Sequence, residues 1–301
     1  MNSPFENLGK SLSRRQALRN LGLGAVGMTA LGSLSKAFGQ ASGPGLDVAV
    51  LQFALNLEYL EAEFYTYASF GTGIETQGIA VTGSGTPGTV TIKSGSKVPF
   101  QIPAVEQYAA EIGADERNHV TLFRSALTAA GAQPVARPAI NLQASFNTLA
   151  QAAGIGQSFD PFANDLNFLL GAFIFEDVGT TLFAGAARVL SNKDFLESAA
   201  GVLAVEAYHS GNIRVNIFAR GTEQNQAIQT AKKISDLRKM LSGADDDQGV
   251  VDANGRANIV PVDSMGRAFR RTPRQGLNIV YGAVNASRGL FFPNGMNGPI
   301  S

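Results

Sequence analysis

The spacing of apolar side chains along the chain predicts four long helices. In each of them, apolar residues recur every three or four positions, which places them on one face of a helix. A helix with one apolar face must bury that face against other helices, so four such helices predict an all-α four-helix bundle. The predicted helices span residues 46–70, 103–130, 160–190 and 194–219.

The ends of these helices carry the residues that usually begin or end a helix. Asp47 is a predicted cap of the first helix, and Pro103 and Gly131 bracket the second. Asp160 and Pro161 predict the start of the third helix as a cap and a first-turn residue.

The links between the helices differ in length and composition. Residues 71–102 are rich in Gly, Ser and Thr, and polar and apolar residues alternate at 89–93, which predicts a short strand within a β-hairpin or an ordered loop. In the second link, between the second and third predicted helices, the pattern predicts a short helix at 142–152. The third link, residues 191–193, is so short that the last two helices must be antiparallel neighbours.

Residues 221–301 predict a C-terminal extension that packs back on the bundle. Its first part, residues 224–241, has the period of an amphipathic helix, and its end is too apolar to remain free coil. The aspartates at 245–247 lack the alternating spacing and the closing glutamate of a calcium loop. We therefore interpret them as a solvated loop.

The first residues have the layout of an export signal. Arg14 and Arg15 precede a moderately apolar run at 21–34, which is too short and too glycine-rich for a membrane span. The arginine pair resembles a twin-arginine signal, with cleavage expected after Ala41. The mature protein would then be periplasmic or extracellular, without a membrane span. A short amphipathic anchor or a cytosolic N-terminal helix is the alternative.

The overall composition excludes several classes of function. Lys and Arg together number 24, as do Asp and Glu, so the charge gives no indication of nucleic-acid binding. The chain has no cysteine, which excludes disulfides, thiolate-bound iron–sulfur clusters and a rubredoxin-type electron donor within it.

Both histidines of the chain follow a glutamate by three positions. Glu116 and His119 share a face of the second helix, and Glu206 and His209 share a face of the fourth. Both pairs lie on the apolar stripe that should face the core. A buried carboxylate beside a buried imidazole is unfavourable unless something neutralises it, and a metal ion would do so.

The other two long helices add carboxylates to the same interior. Glu58 lies on the apolar stripe of the first helix, and Glu176 and Asp177 interrupt an almost wholly apolar run in the third. We favour Glu176 over Asp177 because it shares a stripe with small residues. Glu61 lies on a neighbouring stripe and is a weaker candidate for the site. It is interpreted as part of a solvated face, as are Glu63, Glu106 and Glu111.

The order Glu, ExxH, Glu, ExxH on four helices resembles the ligand set of the ferritin-like superfamily. The segment NLEYLEAEFY resembles the first ferritin helix, and DERNH resembles the second-helix motif. The resemblance covers residues 46–220. The signal and the tail also resemble exported ferritin-like proteins that are grouped with plant desiccation-related proteins.

This resemblance implies a role for each candidate residue. Glu116 and Glu206 would bridge two metal ions, Glu58 and Glu176 would each bind one ion, and His119 and His209 would each give a ring nitrogen to a different ion. Tyr65, seven residues after Glu58, would hydrogen-bond a ligand or give an electron, or would simply be a packed core residue.

The resemblance also implies what the protein acts on. Oxygen-rich sites with some imidazole suit two iron ions, with manganese as the alternative. The expected reaction is oxidation of Fe(II), or reduction of oxygen or peroxide, in protection of the envelope during stress. Two other functions remain open: manganese-catalase-like dismutation of peroxide, and a non-catalytic binding role in the envelope. The oligomeric state is also open, with a homodimer among the alternatives.

Overall fold

The structure is a computed structural model that describes residues 43–223 and 225–301. The predicted signal, residues 1–41, and its cleavage site therefore lie outside the described residues. The description below starts at the first helix of the bundle.

The predicted all-α bundle is confirmed. Helix α1 packs along α2, and α4 packs along α5, which brings the four long helices around one apolar core. Three shorter helices and a single turn of 3₁₀-helix at Ile74–Gln77 lie around them. The helices are α1 (Pro44–Phe70), α2 (Pro103–Ala129), α3 (Ala144–Ala152), α4 (Asp165–Ala186), α5 (Lys193–Glu223), α6 (Gln226–Ser242) and α7 (Pro273–Tyr281).

Helix α4 begins later than predicted. Its cap is Asn164, whose side chain accepts a hydrogen bond from the backbone N–H of Asn167. Asp160 was the expected cap, but its carboxylate accepts from the N–H of Phe162 in a turn before the helix and pairs with Lys93. Both aspartate and asparagine suit a cap, so the local signal alone could not place the start.

Helix α4 is also the most buried helix of the bundle. Among the described residues it is the one helix long and apolar enough to cross a membrane, with a mean hydropathy of 1.4. In the structure, 83% of that apolar window is buried inside the protein. Its composition is therefore that of a central core helix.

Residues 71–102, the insertion between α1 and α2, form an ordered loop rather than a hairpin. Strand β1 (Val90–Thr91) pairs in parallel with β2 (Ile140–Asn141), which belongs to the link between α2 and α3. Gly88 permits this close approach, because a Cβ there would lie 2.1 Å from the backbone nitrogen of Ala139. Two links that are distant in sequence are thus joined to each other.

Glu63 is buried, contrary to the prediction of a solvated face. Its carboxylate forms an ion pair with Arg137 and accepts a hydrogen bond of 3.1 Å from the N–H of Ile74. Arg137 also pairs with Glu75 at 2.9 Å. The side chain thus ties α1 to the insertion and to the second link. Glu106 and Glu111 are exposed, as expected.

Residues of the C-terminal extension contact α1, α3 and α4. The side-chain amide of Asn56 in α1 donates to the carbonyl oxygen of Asn297 at 2.8 Å, and the N–H of Asn297 donates back to Asn56 at 3.0 Å. The ring of Phe291 lies edge-on against Phe146 and Phe175. The tail therefore completes the apolar core on the outer side of α4.

Two of the clustered aspartates are buried, so the prediction of a solvated loop was wrong for them. Asp246 and Asp247 both form ion pairs with Arg271, at 2.9 and 2.7 Å, and Asp247 also pairs with Arg238 at 2.8 Å. Only Asp245 is exposed. The arginines that neutralise these aspartates lie in α6 and just before α7. The spacing of residues within the loop does not indicate such partners.

Candidate metal site

The six predicted ligand residues come together in the middle of the bundle. Each long helix contributes the residues expected of it, and every one of the six side chains is buried. Their potential ligand atoms form two groups, and the atoms of each group lie within 4.8 Å of one another. The first group is Glu58, Glu116, His119 and Glu206, and the second is Glu116, Glu176 and His209.

Glu116 belongs to both groups, whereas Glu206 belongs to the first alone. This arrangement agrees with a bridging carboxylate at Glu116. The bridging roles of Glu116 and Glu206 both stay predictions from the family resemblance.

Both imidazoles direct Nδ1 towards the carboxylates. His119 Nδ1 lies 3.2 Å from Glu58 Oε2 and 3.7 Å from Glu206 Oε1. His209 Nδ1 lies 3.0 Å from Glu116 Oε1 and 3.5 Å from Glu176 Oε2. The two rings approach the cluster from α2 and α5, with their centroids 6.3 Å apart.

Several of these atoms have no hydrogen-bond partner within residues 43–223 and 225–301, although they are fully buried. They are both carboxylate oxygens of Glu58 and of Glu206, Oε1 of Glu116, Oε2 of Glu176 and Nδ1 of His209. Buried polar atoms in folded proteins almost always have a partner, so a cluster without partners requires an explanation. A pair of metal ions would coordinate these oxygens and nitrogens, and the donor set suits iron or manganese.

The side chains around the cluster support the predicted ligands. His209 Nε2 lies 3.2 Å from Asp115 Oδ2, an arrangement in which a carboxylate orients a metal-binding imidazole. The Tyr65 hydroxyl is buried and donates a hydrogen bond to Glu176 Oε1. Asp115 directly precedes Glu116 in DERNH, and the spacing of ligands alone did not single it out.

Asp177 lies outside the two groups of ligand atoms, whereas Glu176 belongs to the second. Its carboxylate forms ion pairs with Arg214 at 2.8 Å and with Arg238 at 2.7 Å, and accepts from Ser210 at 2.6 Å. Glu176, one residue earlier, lies on a different face of α4 and approaches His209, with Oε2 3.5 Å from Nδ1.

Glu61 is buried beside the cluster, so its interpretation as part of a solvated face was wrong. Its side chain is 4% exposed, and its Oε2 atom has no hydrogen-bond partner in the part of the chain that the structure describes. Glu61 follows Glu58 by three positions, the same spacing that joins each glutamate to its histidine. That spacing was the signal in the sequence that could have identified it.

Burial and close charges shift the pKa values of the cluster in opposite directions. Burial raises the pKa of Glu58 to about 8, against the attraction of His119. Burial alone would also raise the pKa of Glu116, but contacts with His119 and His209 outweigh it and hold the value at about 2. Against burial, the surrounding carboxylates raise the pKa of His119 to about 10 and that of His209 to about 12.

The metal-free protein should therefore lose stability as the pH rises. The pKa of Glu58 rises from 4.5 to about 8 on folding, and that of His119 from 6.5 to about 10. A group with a raised pKa stabilises the fold below its ordinary value, and this contribution disappears as the pH passes the folded value. Metal ions displace these protons, so metal affinity should instead rise with pH.

Thermal melts of the metal-free and Mn(II)-loaded protein between about pH 5 and about pH 9 would test this expectation. The difference between the two melting temperatures should widen as the pH rises. A metal-free protein that becomes more stable over this range would contradict the protonation described here.

Comparison with known proteins agrees with the geometry. The model of the ferritin-like domain matches residues 46–218. The desiccation-related protein PCC13-62 of Craterostigma plantagineum is 32% identical over 277 residues, which cover 85% of this chain and 84% of that protein. The ferritin-like catalase Nec2 of Nesocodon mauritianus is 27% identical over 273 residues, 85% of each chain.

No solved structure matches the chain significantly. The family match spans α1 to α5, the helices that carry all six candidate ligands. It extends over more than half of the sequence, and the desiccation-related relative is similar along most of its length. The chain belongs to the ferritin-like family.

Proposed function

We propose that this protein binds two transition-metal ions, iron or in the alternative manganese, within the bundle and consumes hydrogen peroxide there. The observation that carries the proposal is the pair of buried ligand groups that share Glu116. Glu58, Glu206 and His119 would hold one ion, and Glu176 and His209 the other, with Glu116 between them. Bound there, such ions supply the redox chemistry that converts two hydrogen peroxide molecules into two water molecules and one dioxygen.

Two observations favour peroxide as the substrate. One relative that is similar along most of the chain is named a ferritin-like catalase. The chain itself has no cysteine, and therefore no thiolate-bound centre that could deliver electrons from outside. Dismutation of peroxide needs no external reductant, because one peroxide reduces the other.

Other side chains of the protein would prepare the site for this reaction. Burial and the nearby carboxylate of Glu176 raise the pKa of Tyr65 well above its ordinary value, so its hydroxyl stays protonated and orients Glu176. Asp115 would accept the Nε2 proton of His209 and leave Nδ1 free as a donor to the metal. The apolar core around the cluster keeps bulk water away from it.

We further propose that the protein is exported by the twin-arginine pathway and protects the cell envelope during stress. The arginine pair and the apolar run near the start of the chain support export. That pathway carries folded proteins, so the metal could be inserted before export. The name of the desiccation-related relative supports a stress role, and it also favours the second candidate, a non-catalytic stress protein with the same metal site.

The oxygen electrode provides the test of the reaction. Full-length protein loaded with iron or with manganese should release about one dioxygen for each two peroxides consumed. The double variant His119→Ala/His209→Ala should release dioxygen at least about 100-fold more slowly, because each metal position loses its imidazole. Tyr208→Ala, on an exposed side chain of the same helix as His209, is the matched control and should keep the full rate.

Two results would contradict the proposal, and each would point to a different function. Peroxide consumption that requires Fe(II) and releases no dioxygen would indicate oxidation of Fe(II). A metal-loaded protein that consumes peroxide no faster than the double variant would indicate the non-catalytic role.

A further inference from the structure

A fifth carboxylate, Glu61, lies beside the metal-binding groups without a structural role of its own. The comparison with Glu63, two residues further along α1, makes this clear. Both are buried, but Glu63 is neutralised by Arg137 and accepts from the N–H of Ile74. Among the described residues Glu61 has no ion pair, and its Oε2 has no hydrogen-bond partner.

Helix α4 leaves space for this carboxylate at Gly179. A Cβ on Gly179 would lie 2.4 Å from Glu206 Oε2 and 3.3 Å from Glu61 Oε1. The two carboxylates therefore face the same gap from α1 and α5. A residue with any side chain in this position would press on both of them.

The cavity walls around Glu61 carry no basic side chain in the described part of the chain. Two cavities meet at this residue, one inside the bundle and one beneath α7, and their walls are apolar. Leu57, Gly179 and Leu182 line both cavities, and Glu61 is the one ionisable residue in either wall. An unpaired carboxylate in such a place is unfavourable unless a cation lies within reach.

We propose that Glu61 is a fifth carboxylate of the metal site and supplies an oxygen ligand to the metal pair on the side of Glu206. This inference rests on the proposed metal pair. The Glu61 oxygens lie outside the two groups of ligand atoms, so the side chain must turn within the gap at Gly179 to coordinate. The site would then draw on five glutamates and two histidines.

The test measures Mn(II) binding by the full chain. Electron paramagnetic resonance reports the free Mn(II) that remains at each protein concentration. The wild-type protein should bind about two Mn(II) ions. Glu61→Gln keeps the shape of the side chain and removes the charge, and it should weaken Mn(II) binding by about 10- to 100-fold. Glu63→Gln, the matched control, should bind Mn(II) like the wild type while its melting temperature falls.

The stability of the metal-free variant provides a second measurement. Because Glu61 is an unpaired buried carboxylate, metal-free Glu61→Gln should melt at or above the temperature of metal-free wild type. Loss of Mn(II) binding by this variant could then not be attributed to unfolding. A Glu61→Gln variant that binds Mn(II) within about twofold of the wild type would overturn the inference. A wild-type protein that binds neither Mn(II) nor Fe(II) would instead contradict the proposed function.

Discussion

Replacement of Glu116 by alanine should remove both metal ions at once. Glu116 is the one residue common to the two ligand groups, and its Oε1 and Oε2 atoms contact different histidines, at 3.0 and 3.4 Å. A ligand that serves one position alone should have a smaller effect. Glu58→Ala and Glu176→Ala should therefore each retain about one ion per chain, while Glu116→Ala retains close to none.

Elemental analysis of iron and manganese, on proteins folded with both metals present, would measure this difference. The exposed Glu106, on the same helix as Glu116, provides the matched control, since Glu106→Ala should keep about two ions. Equal losses in Glu58→Ala and Glu116→Ala would mean that Glu116 does not bridge. Retention of both ions by Glu116→Ala would show that the metal pair lies elsewhere.

The rate of peroxide consumption should fall more steeply than metal content in this series. If dismutation needs two ions that work together, a protein with one ion should be nearly as inactive as one with none. Glu58→Ala and Glu176→Ala would then separate binding from turnover, because they keep half of the metal and lose almost all of the rate. A rate proportional to metal content would instead indicate that each ion reacts alone.

The parts of the fold that could be predicted from the sequence are those that depend on local periodicity. The long helices follow from apolar spacing, and Glu116, His119, Glu206 and His209 follow from the rule that residues three apart share a helical face. These two pairs, together with Glu58 and Glu176 on the other two long helices, then indicated a shared interior. These residues needed no knowledge of distant contacts.

The parts that could not be predicted depend on partners far away in the sequence. Strand β1 pairs with a link that lies about 50 residues further along, and Asp246 and Asp247 are buried because Arg271 and Arg238 reach them. The prediction that Glu61 faces solvent was wrong for a similar reason. Its helix packs on two sides, so a neighbouring stripe that would face solvent in a simple bundle is covered here by the tail and α7.

Replacement of Asp177 by alanine should destabilise the protein more than any surface substitution. Asp177 neutralises two arginines that are almost completely buried, Arg214 of α5 and Arg238 of α6. Removal of one partner from a buried ion pair leaves an uncompensated charge, which costs about 3–5 kcal/mol. The loss should appear in urea denaturation as a lower midpoint, and Asp236→Ala, which breaks the exposed pair with Lys232, should leave the midpoint nearly unchanged.

Acid should have the same effect as the Asp177 substitution. Burial alone would raise the pKa of Asp177, but the ion pairs with Arg214 and Arg238 lower it below its ordinary value of 3.8. A carboxylate with a lowered pKa stabilises the fold above that ordinary value, and the contribution is lost as the pH falls through the folded value. The wild type should therefore lose stability in strong acid, and Asp177→Ala should lose less over the same range.

The Asp177→Ala variant also distinguishes the role of Asp177 from that of its neighbour Glu176 in α4. Asp177 contacts Arg214 of α5 and Arg238 of the C-terminal extension. Glu176 faces His209 and accepts a hydrogen bond from Tyr65. At a temperature where it is still folded, Asp177→Ala should therefore bind metal like the wild type, while Glu176→Ala loses one ion without a comparable fall in the denaturation midpoint. Loss of metal in folded Asp177→Ala would mean that the C-terminal extension helps to shape the metal site, because Asp177 pairs with Arg238 of that extension and directly follows Glu176 in α4.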